Sequence, residues 1–563
     1  MALGPRTQQT AGAYVGHHVL ELLQQAVHVI GWPGGYDLVE NFVDPPKPTI
    51  AELGEFLLEF LAGLFQRGAH DRHATPFDRQ RRAWFAPTIS TMVPLVAGVD
   101  SSTGSTKVEI REVASGVVVA SGSAPHPATT PPKSEQHPDV WWSAFEQAWS
   151  EAGSPSVDAI SVAGQQHGMV VLGHDGLPLR PAKLWNDTES APDAVRLIAQ
   201  GGGPQAWAAR CGSVPVAAFT ITKLGWLARN EPGVFRRINR VLLPHDWLTH
   251  RLTGDFTTDR GDASGTGYWS AASGEYCWDL LQLVDAEADW QKMVPRVLGP
   301  TEIAGEWRGA TVAAGTGDNM AAAMGSGLRP GDVAISLGTS GTVYSVTQAA
   351  TADPSGAVAG FADATGHFLP LVCTLNATKV TDAVRRLLGV DHAAFDAMAL
   401  AAAMGADGLT LLPYLDGERT PNRPDARGVL SGLRSDVSRE QLARAAVEGV
   451  ICGLLDGLDA LGALAPVENG RIVLVGGGAR SSASQQILAD LTGRVVHVPT
   501  EQEHVAAGAC VQAAATLTGT DAVSVATRWR LGKGSEVRPS AAVSDQARQA
   551  VRDRYAERRH AEG

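Results

Sequence analysis

Cysteine is scarce, with five residues in 563 (Cys211, Cys277, Cys373, Cys452 and Cys510), odd in number and without a CxxC pair. Neither a disulfide framework nor a zinc site is expected from that spacing, and a reducing, cytoplasmic compartment fits it. No stretch holds 18 continuous apolar residues, and the first 30 residues never build the charged start and apolar run of a signal peptide. A membrane partner is therefore not expected. Positive charge is in deficit, with 46 Lys and Arg against 59 Asp and Glu, a net charge of −13. That balance argues against a general affinity for nucleic acid or anionic lipid, although it leaves room for a local phosphate site. Residues 1–91 also lack a helix-turn-helix pattern.

What is present is a globular composition, 44% hydrophobic, on a chain too long for one ordinary core. Residues 1–91 differ from the rest: GWPGG is turn-rich, DPPKP is extended, Ile50 to Leu64 is amphipathic and Arg79 to Arg82 is basic. They carry no recognisable chemistry, and an upstream addition to the reading frame is one expected origin. From Met92 the pattern sharpens. VPLVAGVD reads as a buried strand, Val108 and Ile110 alternate with Lys107, Glu109 and Arg111, and VVVASG follows a turn, which predicts a three-stranded meander. Further strand-like runs (AISVAG, DVAISLG, RIVLVGG) alternate with helical ones such as 139–152 and 439–461, the signature of an α/β fold.

GVDSSTGSTKVEI from Gly98 and AISLGTSGTVYSV from Ala334 share one plan of strand, Ser/Thr/Gly hairpin and strand. In register, Asp100 falls on Ser336, Thr103 on Thr339 and Thr106 on Thr342. Two related halves around a cleft would explain this, and so would chance likeness of two turns built from common turn residues. Small hairpins of this kind present backbone N–H groups and hydroxyls without bulk, which suits phosphate oxygens. Asp100, ending the first strand, would stand beside them, as a metal-associated acid or as an ordinary turn cap. LVGGGARS, from Leu474, offers a junction without side chains on which adenine and ribose could lie. GTGDN places Asp318 on a glycine-flanked turn, where a carboxylate could accept a hydroxyl proton or merely cap a helix. GQQHG (164–168) and LWND (184–187) join Gln, His, Asn, Asp and Trp in a pattern suited to a polyol.

Together these motifs resemble the FGGY carbohydrate kinases. GVLSGLRSDVSREQLARAAVE meets the family's C-terminal motif at Gly428, Leu430, Gly432, Leu433, Gln441, Leu442, Ala445 and Glu448. Thr220, Lys223, Leu224, Trp226, Leu227, Arg229 and Asn230 meet the N-terminal one, with Ala218 as a departure. GQQHG, LWND, GDN and LPYLDGERTP (412–421) are similar to the branch acting on D-xylulose and unlike the glycerol kinases. The resemblance runs from Met92 to about residue 555.

It implies an actin-like, ribonuclease-H-like ATPase fold, with an N-terminal kinase domain over 92–312, a C-terminal one over 313–535 and a helical tail over 536–563. The implied activity is ATP- and Mg2+-dependent phosphorylation of D-xylulose to D-xylulose 5-phosphate. Carried over by position, Asp318 becomes the base, and Asn319, Gln166, His167, Trp185, Asn186 and Asp187 line the sugar site. Thr103 and Ser105 form the first phosphate hairpin and Gly338, Thr339 and Ser340 the second. Gly477, Gly478 and Ala479 belong to the adenosine motif, and Asp100 to the metal. Ser102 stands where many relatives have Gly, and Gln166 where Met is common. Sugar and ATP are the expected partners, a homodimer being compatible with the family. The competing readings are a kinase for D-ribulose, L-xylulose or gluconate, a non-catalytic ATP and sugar sensor, and an actin-like filament protein.

Overall fold

Residues 93–561 are described by the structure, a computed structural model, so the expectations for residues 1–91 lie outside the described residues. The run after Met92 forms the expected meander of β1 (Leu95–Ser101), β2 (Ser105–Glu112) and β3 (Val118–Pro125). β1 is almost wholly buried, which its apolar run from Leu95 to Val99 anticipates and which extends to Asp100 and Ser101 at its end, whereas β3, at the sheet edge, alternates over its second half. The first sheet adds β4 (Ala159–Gly164), β5 (Ile303–Trp307), β6 (Ala310–Ala313) and β7 (Thr316–Gly317). Its order is β5-β6-β4-β1-β2-β3, with β7 continuing β6 along β4. The first sheet thus runs past the expected boundary at 312.

The second sheet contains β8 (Val333–Leu337), β9 (Gly341–Ser345), β10 (Ala359–Ala362), β11 (Phe368–Thr374), β12 (Ile472–Val475), β13 (Val496–Pro499) and β14 (Gly534–Val537). Its order is β10-β11-β9-β8-β12-β13-β14. Both sheets have the same centre: a strand (β1 or β8) with an antiparallel hairpin partner on one side and a parallel strand (β4 or β12) on the other. The hairpins differ by one residue. Asp100 pairs with Lys107, but Ser336 pairs with Thr342. Thr106 and Thr342, aligned by sequence without a gap, are therefore not equivalent in the ladder, because the first hairpin is one residue longer.

Five of the described helices bear most directly on the site. α1 (Pro138–Glu151) buries Trp141, Phe145 and Trp149 against the first sheet, a spacing of four residues that keeps them on one face. α2 (Pro244–Thr253) starts with Pro at its first position and ends on Gly254 in the left-handed region. α3 (Asp318–Gly325) follows β7 without a loop. α4 (Arg439–Gly462) is opened by a capping box between Ser438 and Gln441 and lines the core of the second sheet. α5 (His504–Thr518) is apolar and small-residue rich; it comes late in the chain but packs on β1, β4 and α3. Where α3 and α5 cross, a Cβ on Gly508 would meet the Ala321 carbonyl and one on Gly325 the His504 carbonyl, so the two backbones are in direct contact. Among the described residues no helix is long and apolar enough to cross a membrane.

Candidate active site

β1, β4 and β7 run parallel, and all three end at one level: Ser101 and Gly317 both pair with Gly164. Their carboxyl ends deliver Asp100, the loop Gln165 to Gly168, and Asp318 to the same edge of the sheet. In open α/β sheets this edge is where ligands bind, because the loops there can diverge around a crevice.

Asp318 is the first residue of α3, and the cap position belongs to Gly317, which makes no side-chain capping bond. The helix-cap alternative for Asp318 is thereby corrected: Gly317, the last residue of β7, holds the cap position, and Asp318 already lies inside the helix. Its Oδ1 accepts from Asn319 Nδ2 at 2.9 Å, and Asn319 Nδ2 also donates to Gln166 Oε1 at 2.8 Å. Burial, followed by the charges of Asp100 and Asp262, raises the Asp318 carboxyl to about 7. Asp100 is only 6% exposed. Its carboxyl is likewise raised to about 7, by burial first; Lys107 pulls it down, while Glu503 and Glu109 push it up. Asp100 Oδ1 is buried without a hydrogen-bond partner. An orphaned, buried carboxylate oxygen of this kind fits a hard cation such as Mg2+.

His167 takes φ = 67°, unusual for a residue with a Cβ. Its Nδ1 lies 2.7 Å from the Gly265 carbonyl. A carbonyl only accepts, so Nδ1 carries the hydrogen and Nε2 is left with a lone pair. Burial, then Lys223 and Arg419, depress the ring to about 3, which keeps it neutral. The ring stacks on Phe219 at 5.1 Å and leans on Phe361 at 5.5 Å. Trp185 Nε1 donates to Thr103 Oγ1 at 2.9 Å, and Thr103 Oγ1 donates to Gln165 Oε1 at 3.1 Å, tying the first hairpin to the polyol loops.

Asp318, Asn319, Gln166, His167, Trp185 and Thr103 line a cavity of about 260 Å3 that also includes Ser102, Gly338 and Ser340, whereas Asp100 is not among its lining residues. A larger groove of about 870 Å3 is lined by Gly338, Thr339, Gly477 and Gly478. Gly338 belongs to both walls, so the second hairpin sits at the seam. It is pinned there by Thr378, whose N–H and hydroxyl both donate to the Gly338 carbonyl, at 2.9 and 2.8 Å. At Gly477 a Cβ would meet nothing, and Ala479 lies buried behind it, so that wall of the groove is bare backbone. In the first hairpin Ser102 N–H donates to Ser105 O at 3.0 Å, and none of residues 102–105 is left-handed, so Ser102 needs no glycine. Ser105 itself does not line the cavity.

Two expected sugar residues lie elsewhere. Asp187 is wholly buried, accepting from Lys183 Nζ at 3.0 Å and from the Ser134 N–H at 2.9 Å. Glu135 and Glu189 converge on the same spot, but the Lys183 ammonium already occupies it, at 3.3 and 2.5 Å. Asn186 has a buried Oδ1 without a partner and does not line the cavity either. Conversely, Arg419, Ser336, Thr342, Phe361 and Cys373 line it, although sequence reasoning assigns them no role there. Arg419 was within reach, since it belongs to the LPYLDGERTP run. Phe361 and Cys373 were not, because strand hydrophobes look alike in sequence.

The two family motifs turn out to hold loops. Lys223 Nζ donates to the Ala217 carbonyl at 2.8 Å, Thr220 Oγ1 donates to the His167 carbonyl at 3.1 Å, and Arg229 pairs with Asp193. Glu448 accepts from Arg444 and from the Gly405 N–H.

Residues 95–328 match the N-terminal domain of the FGGY family of carbohydrate kinases and residues 333–517 its C-terminal domain. The chain is 50% identical over 452 residues to the xylulose kinase of Streptomyces coelicolor, an alignment spanning 78% of this chain and 92% of that one. It is 37% identical over 424 residues to the xylulose kinase of Escherichia coli, over 70% of this chain and 84% of that one. In structure it resembles the xylulose kinase of Bifidobacterium adolescentis, with a TM-score of 0.74 and 40% identity, covering 83% of this chain and all of that one. With the paired sheets and the strand-end cleft, these similarities give the chain an actin-like, ribonuclease-H-like ATPase fold and make it a member of the FGGY family of carbohydrate kinases.

Proposed function

We propose that the protein transfers the γ-phosphoryl group of ATP to O5 of D-xylulose, releasing ADP and D-xylulose 5-phosphate. The observation that carries this reading is Asp318: a carboxylate raised to about 7, facing a sugar-sized cavity that shares the Gly338 wall with a nucleotide-sized groove. The names of the 50%-identical relatives support xylulose as the acceptor.

In this reading ATP lies along Gly477 and Gly478 with its phosphates at the two hairpins, whose N–H groups and hydroxyls supply donors. Asp100 would hold Mg2+, which when bound neutralises phosphate charge. The sugar lies in the smaller cavity, where His167 Nε2 accepts a hydrogen bond from a sugar hydroxyl and Gln166, Asn319 and Trp185 complete the lining. Asp318 orients the O5 hydroxyl and takes its proton as the new P–O bond forms. Phosphoryl transfer depends chiefly on positioning and charge stabilisation, so a general base and an ordered polyol are what the protein has to provide. Arg419 brings a guanidinium to the cavity from the second half of the chain.

A coupled ADP-release assay on D-xylulose, D-ribulose, L-xylulose and gluconate tests the assignment. D-Xylulose is expected to give the highest kcat/KM; a higher value for another polyol would replace it as the substrate. Asp100→Asn is expected to raise the Mg2+ concentration needed for half-maximal rate while sugar affinity stays put. An unchanged Mg2+ dependence would remove Asp100 from the metal.

A further inference from the structure

Below the sugar loop and the Asp318 turn lies a buried group of charges for which the phosphoryl transfer itself has no use. His245, the second residue of α2, is fully buried. Its Nδ1 lies 2.7 Å from Asp262 Oδ2, and its Nε2 lies 3.2 Å from Asp246 Oδ1 and 3.9 Å from Asp259 Oδ1. Three carboxylates around one imidazole favour the imidazolium, and although burial opposes the charge, they lift the ring to about 9. Three other titratable groups face these acids: Asp318, raised by burial and then by Asp100 and Asp262, and the phenols of Tyr268 and Tyr276, both raised by burial first and held neutral.

The segment that supplies two of the acids reaches into both halves of the site. Asp259 caps the short helix Arg260–Ala263, its Oδ1 accepting from the Asp262 N–H and its Oδ2 from the Gly261 N–H, and the same Oδ2 also accepts from Thr316 Oγ1 at 2.7 Å, two residues before Asp318. Gly265, three residues after Asp262, supplies the carbonyl that fixes the His167 ring. The His245 side chain itself touches both strand ends. A Cβ on Gly164, which opens the sugar loop, would lie 2.9 Å from His245 Cβ; one on Gly315, which opens the catalytic turn with φ = 75°, would lie 2.7 Å from His245 Cδ2. No other residue type than glycine would let these two backbones rest on His245, Gly164 against its Cβ and backbone and Gly315 against its ring.

We propose that His245 is a positioning residue, an interior cation that binds Asp259 and Asp262 into one rigid piece and so holds His167 and Asp318 at a fixed separation. The inference rests on the kinase reading. It assigns the cluster two arms. The sugar arm runs through Asp262 and Gly265 to His167, and the catalytic arm runs through Asp259 and Thr316 to Asp318. A purely structural role would stabilise the domain without distinguishing the two substrates or the two arms.

The test begins with wild-type phosphorylation of D-xylulose; its absence would sink the kinase reading itself. Given an active wild type, His245→Gln is expected to raise the sugar KM and lower kcat by about 10- to 100-fold each, with the KM for MgATP unchanged. Thr316→Val, which cuts only the catalytic arm, is expected to lower kcat about tenfold with the sugar KM unchanged. The ring nitrogens of His245 in the wild-type protein at pH 7.5 are expected to show the 15N shifts of a doubly protonated imidazole. Overturning results are a neutral ring at that pH, an MgATP KM that rises as much as the sugar KM, or a Thr316→Val variant whose sugar KM moves with its kcat or whose rate equals wild type. Should His245→Gln fail to fold, Thr316→Val and the 15N shifts decide alone.

Discussion

At the scale of single residues, the cleft stores cost in its acids. Asp318 and Asp100 are both raised to about 7 in the folded protein, from an ordinary value of 3.8. A raised folded-state value means that protonated Asp318 favours folding, a benefit present at low pH and lost as pH rises through 7. Asp318→Asn removes that conflict. It is expected to lower kcat by roughly 100- to 10,000-fold, and to raise Tm by about 2–4 °C at pH 8 with a smaller gain at pH 5. Rate assays and thermal unfolding on the same preparation check both; near-normal turnover would remove Asp318 as the base. For the wild type, activity runs opposite to stability: kcat/KM should fall about tenfold per pH unit below 7 as Asp318 takes up its proton. His167→Ala should weaken sugar binding by about 1–3 kcal/mol, because a buried sugar hydroxyl loses its acceptor, while ATP affinity barely moves. Equal losses for both ligands, measured by calorimetry, would make His167 structural.

At the scale of elements, the sequence was legible where one element's own pattern decides its fate. The meander, β4, β8 and β12, and the helices near 139–152 and 439–461 all follow from period and capping. So does the bringing together of Asp318, Asn319, Gln166, His167 and Trp185, since each sits on a strand end or loop with a strong local motif. Illegible were features set by pairing between distant segments. The extra residue in the first hairpin changes no local preference, and only the ladder reveals it. Asp187 reads like a sugar ligand beside Trp185, but its carboxylate is claimed by Lys183, whose burial nothing in LWND announces. The His245 group, scattered over α2 and the segment from Thr257 to Gly265, has no motif at all. The crossing of α3 and α5 is likewise invisible locally, although it is checkable. Gly508→Val would drive a side chain into the Ala321 backbone and is expected to destabilise the protein by about 1–3 kcal/mol, seen as a lower urea midpoint. An unchanged midpoint would mean that the two helices can separate without cost.

At the scale of the whole molecule, the cleft is a joint property of two sheets. One wall of the smaller cavity (Thr103, Gln166, His167, Trp185, Asp318) comes from the strand ends and loops of the first sheet. The other (Ser336, Thr342, Phe361, Cys373, Arg419) comes from the second half of the chain, which also supplies the nucleotide groove, with Gly338 on the border of both cavities. The two matched family domains begin at residues 95 and 333. A chain starting at Met92 is accordingly expected to keep the kinetic constants of the full one; a tenfold loss of kcat/KM would give residues 1–91 a part in catalysis.

α5 has a consequence for how the chain is made. It lies on β1 and β4, the first strands of the first sheet, but is specified by residues 504–518, after nearly all of the second sheet. While the polypeptide emerges from the ribosome, the apolar face of those early strands must wait through roughly 400 residues of synthesis, about 20–80 s at ordinary elongation rates, before its cover exists. The early half is thus expected to stay unfinished during synthesis, and truncations that end before residue 504 should accumulate as insoluble material however complete their own strands are.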